Sequence, residues 1–250
     1  MLPTPSTSHV NYERVYEPRE DSFLVLDTLS SASEIAFLHQ RFARTPPPLV
    51  VEIGTGSGVV LAFLTAQAGT ILGRGDVLTL GVDISAFACQ ATNVTVEGTI
   101  AEQKLTTKSH GVFLDVANGD LATVLRQKQA DILVFNPPYW PDDLPNLEIH
   151  ASYNDTSKPT SDEQEGHLQR LAWAGGEDGM EITNKLLPEI PGLLSDRGVA
   201  YILLCRENNP EEVMQRIRGW GQEWVVDKIS SSGKTLRVEK LCILRISRVL

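Results

Sequence analysis

From Leu49 onward, short apolar runs of strand length alternate with helix-length amphipathic segments, and that alternation limits the chain to very few folds. LVVEI (49–53) reads as a buried strand, and VLTLGVD (77–83), the short Gly111–Asp115, ADILVFN (130–136) and VAYILLC (199–205) read as further strands. Between them, 59–67, Ala86–Gly98 and Glu181–Leu194 carry helical spacing, and Pro210–Arg218 follows the fifth strand. Strands that alternate with helices pair in parallel, with right-handed crossovers covering both faces of one sheet. Trp224–Ile229 and Leu236–Ile246 then follow without an intervening helix, around Ser230–Lys234, and predict an antiparallel hairpin at the end of the sheet. The expected fold is α/β: a doubly wound, Rossmann-like sheet, mostly parallel. A chain of 250 residues suits one such domain.

Residues 1–48 form an N-terminal extension, and 49–250 form the domain. Residues 1–15 read as flexible. Pro18 and the acids after it open a helix whose Phe23, Leu26 and Leu29 share a face. A second helical stretch, Glu34–Arg44, stops at Pro46-Pro47-Pro48. From Asp142 to about Gly166 the chain is polar and aperiodic, which predicts a mobile acidic loop. Between Asp142 and Glu165 lie seven acids and one lysine, so this stretch carries −6 of the net charge of −10. No basic tract matches a phosphate backbone, which argues against nucleic acid as a partner. The three cysteines, Cys89, Cys205 and Cys242, show no CxxC spacing. That pattern argues against a structural zinc site and fits a reducing compartment, cytoplasmic or nuclear. No apolar run approaches the roughly 20 residues needed to span a bilayer, so no membrane role is expected. The five histidines show no metal-ligand spacing and read as solvated, and Cys205 and Cys242 read as core.

Gly54-Thr55-Gly56-Ser57-Gly58 joins the first strand to a helix, a place where backbone amides can approach a polar ligand. Alone, such a turn is equally well explained by tight packing. Asp83, at the end of the second strand, is placed to accept both hydroxyls of a ribose. Glu52, inside the first strand, is costly to bury unless it meets a cation; the alternative is a solvated side chain at an edge. The spacing disfavours NAD: the third glycine falls one residue early for GxGxxG, and Asp83 lies 29 residues beyond Gly54 rather than roughly 20. One ribose and one ammonium describe S-adenosyl-L-methionine. Asp115, read as ending the third strand, would accept from the adenine amine or, alternatively, cap a turn.

Asn136-Pro137-Pro138-Tyr139 follows the fourth strand directly, at the carboxyl edge where ligands bind in open α/β sheets. The prolines stiffen the backbone and leave carbonyls without local donors. With the Asn136 side-chain carbonyl they offer paired acceptors for a planar NH2 group, and Tyr139 offers a flat face beside it. Acceptors on both N–H bonds raise electron density on an amide nitrogen, align it, and stabilise the charge that develops there. Asn136, Pro137 and Tyr139 are thus the candidate catalytic residues, and Pro138 joins them in substrate binding. Trp173, Gly175 and Gly176 read as a tight helix entry, or else as a border of the substrate groove.

VEIGTGSG, GVDIS and VFNPPY, together with YEPREDSFLVLDTL, WAGGEDGMEI and ENNPEE, resemble the HemK/PrmC-like glutamine methyltransferases of class-1 release factors, in their eukaryotic and archaeal branch. The resemblance runs from about Tyr16 to the C-terminus. It implies a class I methyltransferase fold and N5-methylation of the glutamine amide in a release factor's GGQ motif, the factor alone or with its GTPase partner. It implies cofactor contacts at Ser22, Glu52, Gly54, Gly56, Gly58, Asp83, Asp115 and Asn136, and no metal. It also implies a heterodimer with a small zinc-binding methyltransferase activator. The third strand normally lies at a sheet edge, so 111–115 is the expected docking strand, with Phe87 or Val94 exposed beside it. Adenine N6 in DNA or RNA, histone lysine, and a non-catalytic cofactor-binding scaffold are the competing readings.

Overall fold

The computed structural model describes residues 2–104, 109–232 and 240–249. Its strands are β1 (Leu49–Ile53), β2 (Leu78–Asp83), β3 (Val112–Asn118), β4 (Ala130–Phe135), β5 (Leu194–Cys205), β6 (Trp224–Ser231) and β7 (Leu241–Arg248). They form one sheet in the order β3-β2-β1-β4-β5-β7-β6. The pairs from β3 to β5 are parallel, and β7 runs antiparallel to both β5 and β6. The doubly wound sheet with an antiparallel C-terminal pair is as expected. Part of the expected last strand (236–239) and Lys234 of its turn lie outside the described residues.

The helices are α1 (Glu20–Leu29), α2 (Ala32–Phe42), α3 (Val59–Ala66), α4 (Ala68–Ile71), α5 (Ala86–Lys104), α6 (His150–Tyr153), α7 (Asp162–Trp173), α8 (Glu181–Leu186), α9 (Ile190–Leu193) and α10 (Pro210–Arg218). The single helix expected over 181–194 is broken by a 3-10 turn at 187–189, where Pro188 and Pro191 each remove an amide donor. Alternate strand residues point to opposite faces, and the core splits accordingly. On β5, Val199, Tyr201, Leu203 and Cys205 join α1–α4, whereas Ala200, Ile202 and Leu204 join α8–α10. Cys205 and Cys242 are core, as read. Tyr201 donates to Glu34 Oε2 at 2.9 Å and Arg245 to Glu34 Oε1 at 2.7 Å, which fastens α2 to the sheet.

Four local expectations change. On α1, Leu26 and Leu29 are buried as expected, but Phe23 is 44% exposed, and Asp21, Ser22 and Val25 are buried in addition. The N-terminal residues are not loose, because Val10 and Val15 pack with Phe87 and Leu168. The acidic stretch 142–166 is not a featureless loop. It carries α6 and the start of α7, whose Ser161 and Gln164 form a reciprocal capping box. Asn154 Oδ1 accepts from Ala86 N at the start of α5, and the His150 imidazole meets Ile84 O at 3.0 Å. His150 and His167 are buried and stacked rather than solvated, 3.2 Å apart at Nδ1 and Nε2. Among the described residues no helix is long and apolar enough to cross a membrane.

Candidate active site

The carboxyl ends of β1, β2 and β4 converge on the glycine turn. Gly54, Gly56 and Gly58 all have positive φ (+71°, +52° and +80°). A Cβ on Gly58 would come within 2.6 Å of Thr92 Cα, so only glycine lets α3 approach α5 this closely. Asp83 holds the turn in place. Its Oδ2 accepts from Gly56 N at 2.9 Å and its Oδ1 from Ser85 N at 2.8 Å. Burial raises the Asp83 pKa above the ordinary value, and those two amide bonds oppose the rise. A carboxylate has lone pairs beyond two bonds, so the ribose role remains open to it.

Two adjoining cavities, of about 450 and 130 Å³, share Gly54, Gly56, Asn136 and Ala172 in their walls. Ser22, Glu52, Pro137 and Tyr139 line the larger, and Asp83 and Pro138 the smaller. Glu52 sits on central strand β1, which excludes the solvated edge alternative. It is 2% exposed, and its Oε2 is buried without a hydrogen-bond partner. Burial holds its carboxyl well above the usual range. A lone carboxylate oxygen in the wall of a polar cavity suits an ammonium group. The smaller cavity has apolar walls, Ile53, Val82 and Phe135 among them, with Asp83 and Asp120 in its lining. That composition suits a nucleoside.

Asp115 is not at this site. A bulge in the pairing of β3 with β2 at Thr79/Leu80 lets the strand run on to Asn118, so Asp115 falls in mid-strand, exposed, accepting from Val116 N. Asp120, just past the strand's true end, lines the nucleoside cavity instead. The sequence reading stopped the strand at the first acid, although an edge strand tolerates charge outward.

Asn136 leaves β4 with its side chain in the shared wall. Its Nδ2 donates to Asp21 Oδ2 at 2.8 Å, and its Oδ1 is buried with no partner. Asn208 braces the next turn. Its Nδ2 donates to Tyr139 O (3.0 Å) and Asp178 O (2.9 Å), and its Oδ1 accepts from Cys205 N (2.8 Å). Trp140 bridges to Ala174, and Gly175 N donates to Trp140 O at 2.8 Å. Gly175 and Gly179 admit no Cβ here, with Pro138 O and Tyr139 O in the way. Trp173 lines the larger cavity. Sequence reasoning missed Asp21 and Asn208. For Asp21 the signal was an acid beside Ser22 on the face that α1 buries.

No protein-family model matches the chain. It is 31% identical to mouse methyltransferase HEMK2 over 99% of this chain and 97% of that protein. The identity is also 31% to the eRF1 methyltransferase catalytic subunit mtq2 of Schizosaccharomyces pombe, over 100% of this chain and 97% of the relative. The chain belongs to the HEMK2/mtq2 methyltransferase family. Its fold also matches the solved Mtq2-Trm112 complex of E. cuniculi, with a TM-score of 0.50 at 19% identity over 94% of this chain and 99% of that one. The class I fold and S-adenosylmethionine dependence follow from family membership, and several groups in the cavity walls suit parts of that cofactor. Glu52 suits its ammonium, the glycine turn its close approach, Asp83 its ribose and Asp120 its adenine.

Proposed function

We propose that this HEMK2/mtq2-family enzyme methylates the side-chain amide nitrogen of the glutamine in the GGQ motif of a class-1 release factor. The observation that carries the reading is the Asn136 carbonyl, buried, unpartnered, and in the wall shared by the two cavities. S-adenosylmethionine supplies a methyl group on a sulfonium that is already a good leaving group. The protein's share is positional. Asn136 Oδ1 and a backbone carbonyl of the proline pair accept the two N–H bonds of the substrate amide. They hold its nitrogen in line and stabilise the positive charge that builds there as the N–C bond forms and the S–C bond breaks, until one N–H proton passes to water and S-adenosylhomocysteine is left as the neutral thioether. Tyr139, in the same lining, gives the planar amide a face to lie on. The name of the fission yeast relative, which specifies eRF1, supports the same substrate class.

The test is labelled methyl transfer to a release factor, a histone and duplex DNA in parallel. Methylation of the release factor, lost when its GGQ glutamine becomes asparagine, is expected, because the shorter amide falls about one methylene short of the acceptors. Equal labelling of both release factors, or labelling of only the histone or the DNA, refutes the reading.

The relative's description as a catalytic subunit and the Trm112 complex of the structural neighbour support a heterodimer here. The open edge of β3 supports the docking position. Val112 and Leu114 are 49% and 50% exposed on it, and Val94 of α5 is 53% exposed. Phe87, by contrast, is covered by the N-terminal residues. Leu114→Lys should weaken the heterodimer at least tenfold in a pull-down titration; undiminished binding argues for another edge. Free, buried Cys89, Cys205 and Cys242 support a cytoplasmic or nuclear setting.

A further inference from the structure

The first turn of α1 sets a second carboxylate against the catalytic edge. Asp21 is 3% exposed. Its Oδ2 accepts from Asn136 Nδ2 at 2.8 Å, and its Oδ1 takes a longer bond, 3.4 Å, from the Tyr16 hydroxyl. Negative charge is favoured at this end of a helix, where the backbone N–H groups point outward. The contact joins residues 115 positions apart, so no local turn requires it.

A side-chain amide has two ends of nearly equal shape, one that donates and one that accepts. Without a directing neighbour it can turn over. A carboxylate accepts and does not donate, so only the NH2 end of Asn136 can face Asp21. The carbonyl end then faces the cavity, where it is found buried and unpartnered. We propose that Asp21 is a positioning residue for methyl transfer, fixing the polarity of the Asn136 amide so that its carbonyl meets the substrate nitrogen. This rests on the reading of Asn136 as the acceptor for the substrate amide. A reversed Asn136 would present NH2 to NH2, and the cavity would then favour a carboxylate side chain. Asp21 therefore also sets the choice between glutamine and glutamate at the accepted position.

The experiment compares wild type, Asp21→Asn, Asp21→Leu and Asn136→Ala, each as full chain with the activator. Turnover, KM for the release factor, affinity for S-adenosylhomocysteine, and inhibition by a release factor carrying GGE in place of GGQ are measured. Asp21→Asn can both donate and accept, so both orientations of Asn136 become populated. Its kcat should fall about tenfold and that of Asp21→Leu about 100-fold or more, with S-adenosylhomocysteine affinity within about threefold of wild type. The GGE protein should inhibit Asp21→Asn about fivefold more tightly than wild type, a gain that simple loss of structure does not produce. Near-normal kcat in Asp21→Leu beside an inactive Asn136→Ala overturns the role of Asp21. So does a loss of turnover matched by lost S-adenosylhomocysteine binding with no gain in GGE inhibition. Normal turnover in Asn136→Ala would instead remove the acceptor reading, and the role of Asp21 with it.

Discussion

Replacing Glu52 with glutamine should move cofactor affinity and apo-protein stability in opposite directions. The substitution keeps the shape and removes the charge. Glu52 is 2% exposed on a central strand, with Oε2 unpartnered, and its pKa is driven up first by burial and then by the nearby charge of Asp83, against one opposing bond from the Leu61 amide. An acid with a raised folded pKa binds more protons folded than unfolded, so stability falls as pH rises above the unfolded value. The penalty is absent below about pH 4, and it grows until the folded pKa is passed. The penalty at pH 7 is therefore larger than at pH 5. Glu52→Gln should thus be more stable than wild type at pH 7.5 and gain little at pH 5. It should also lose a charge-assisted bond to the cofactor ammonium worth roughly 1.5–3 kcal/mol, about 10- to 150-fold in affinity. Thermal melts of the apo-protein across pH, with calorimetry of S-adenosylhomocysteine, read both effects. An unchanged affinity, or a stability gain that does not grow with pH, would refute the reasoning.

Asp83→Ala should weaken S-adenosylhomocysteine by roughly 1–3 kcal/mol and also lower the melting temperature, because Gly56 N and Ser85 N lose their acceptor; unchanged calorimetric affinity would remove Asp83 from the ribose site. Asp120→Ala should reduce that affinity about fivefold while Asp115→Ala leaves it within error, and the opposite ranking would restore Asp115 as the adenine contact. Burial first, then the neighbouring charges of His150 and Arg170, lowers the His167 pKa, so the folded state resists its protonation. Stability from the His150–His167 contact is present above about pH 6.5 and lost as pH falls toward the folded pKa. Protection over 150–167, taken relative to the intrinsic exchange rate at each pH, should fall between pH 7 and pH 5.5 in wild type and not in His167→Gln; an equal fall in both would assign the effect elsewhere.

The strand order and the cofactor turn were readable because period and spacing are local properties. LVVEI and ADILVF read as buried strands, and the three glycines at that junction pointed to a cofactor turn only together with Glu52 and Asp83. The end of β3 was unreadable because its last residues, Val116, Ala117 and Asn118, follow an acid on an exposed edge, and nothing in the residue types marks the bulge. The insert concealed α6 and the first turn of α7 because α6 buries a histidine, His150, rather than an aliphatic residue, and α7 buries its first residues, His167 and Leu168, only past the end of the acidic stretch. Asp21 and Asn208 were hidden for a different reason. Each acts on a partner more than 60 positions away, and residue order alone does not bring them together.

That separation bears on how the site is assembled during synthesis. The nucleoside cavity draws its carboxylates from Asp83 and Asp120, and its glycine turn from between β1 and α3. The turn after Asn136 needs the amide of Asn208, which reaches back 69 residues to Tyr139 O and 30 to Asp178 O. A growing chain therefore cannot brace its methyl-accepting edge until β5 and the segment behind it have left the ribosome. Contacts of such span are slow to close and form late. The glycine turn and Asp83, by contrast, lie within 30 residues of each other and are complete in the chain long before Asn208 is added.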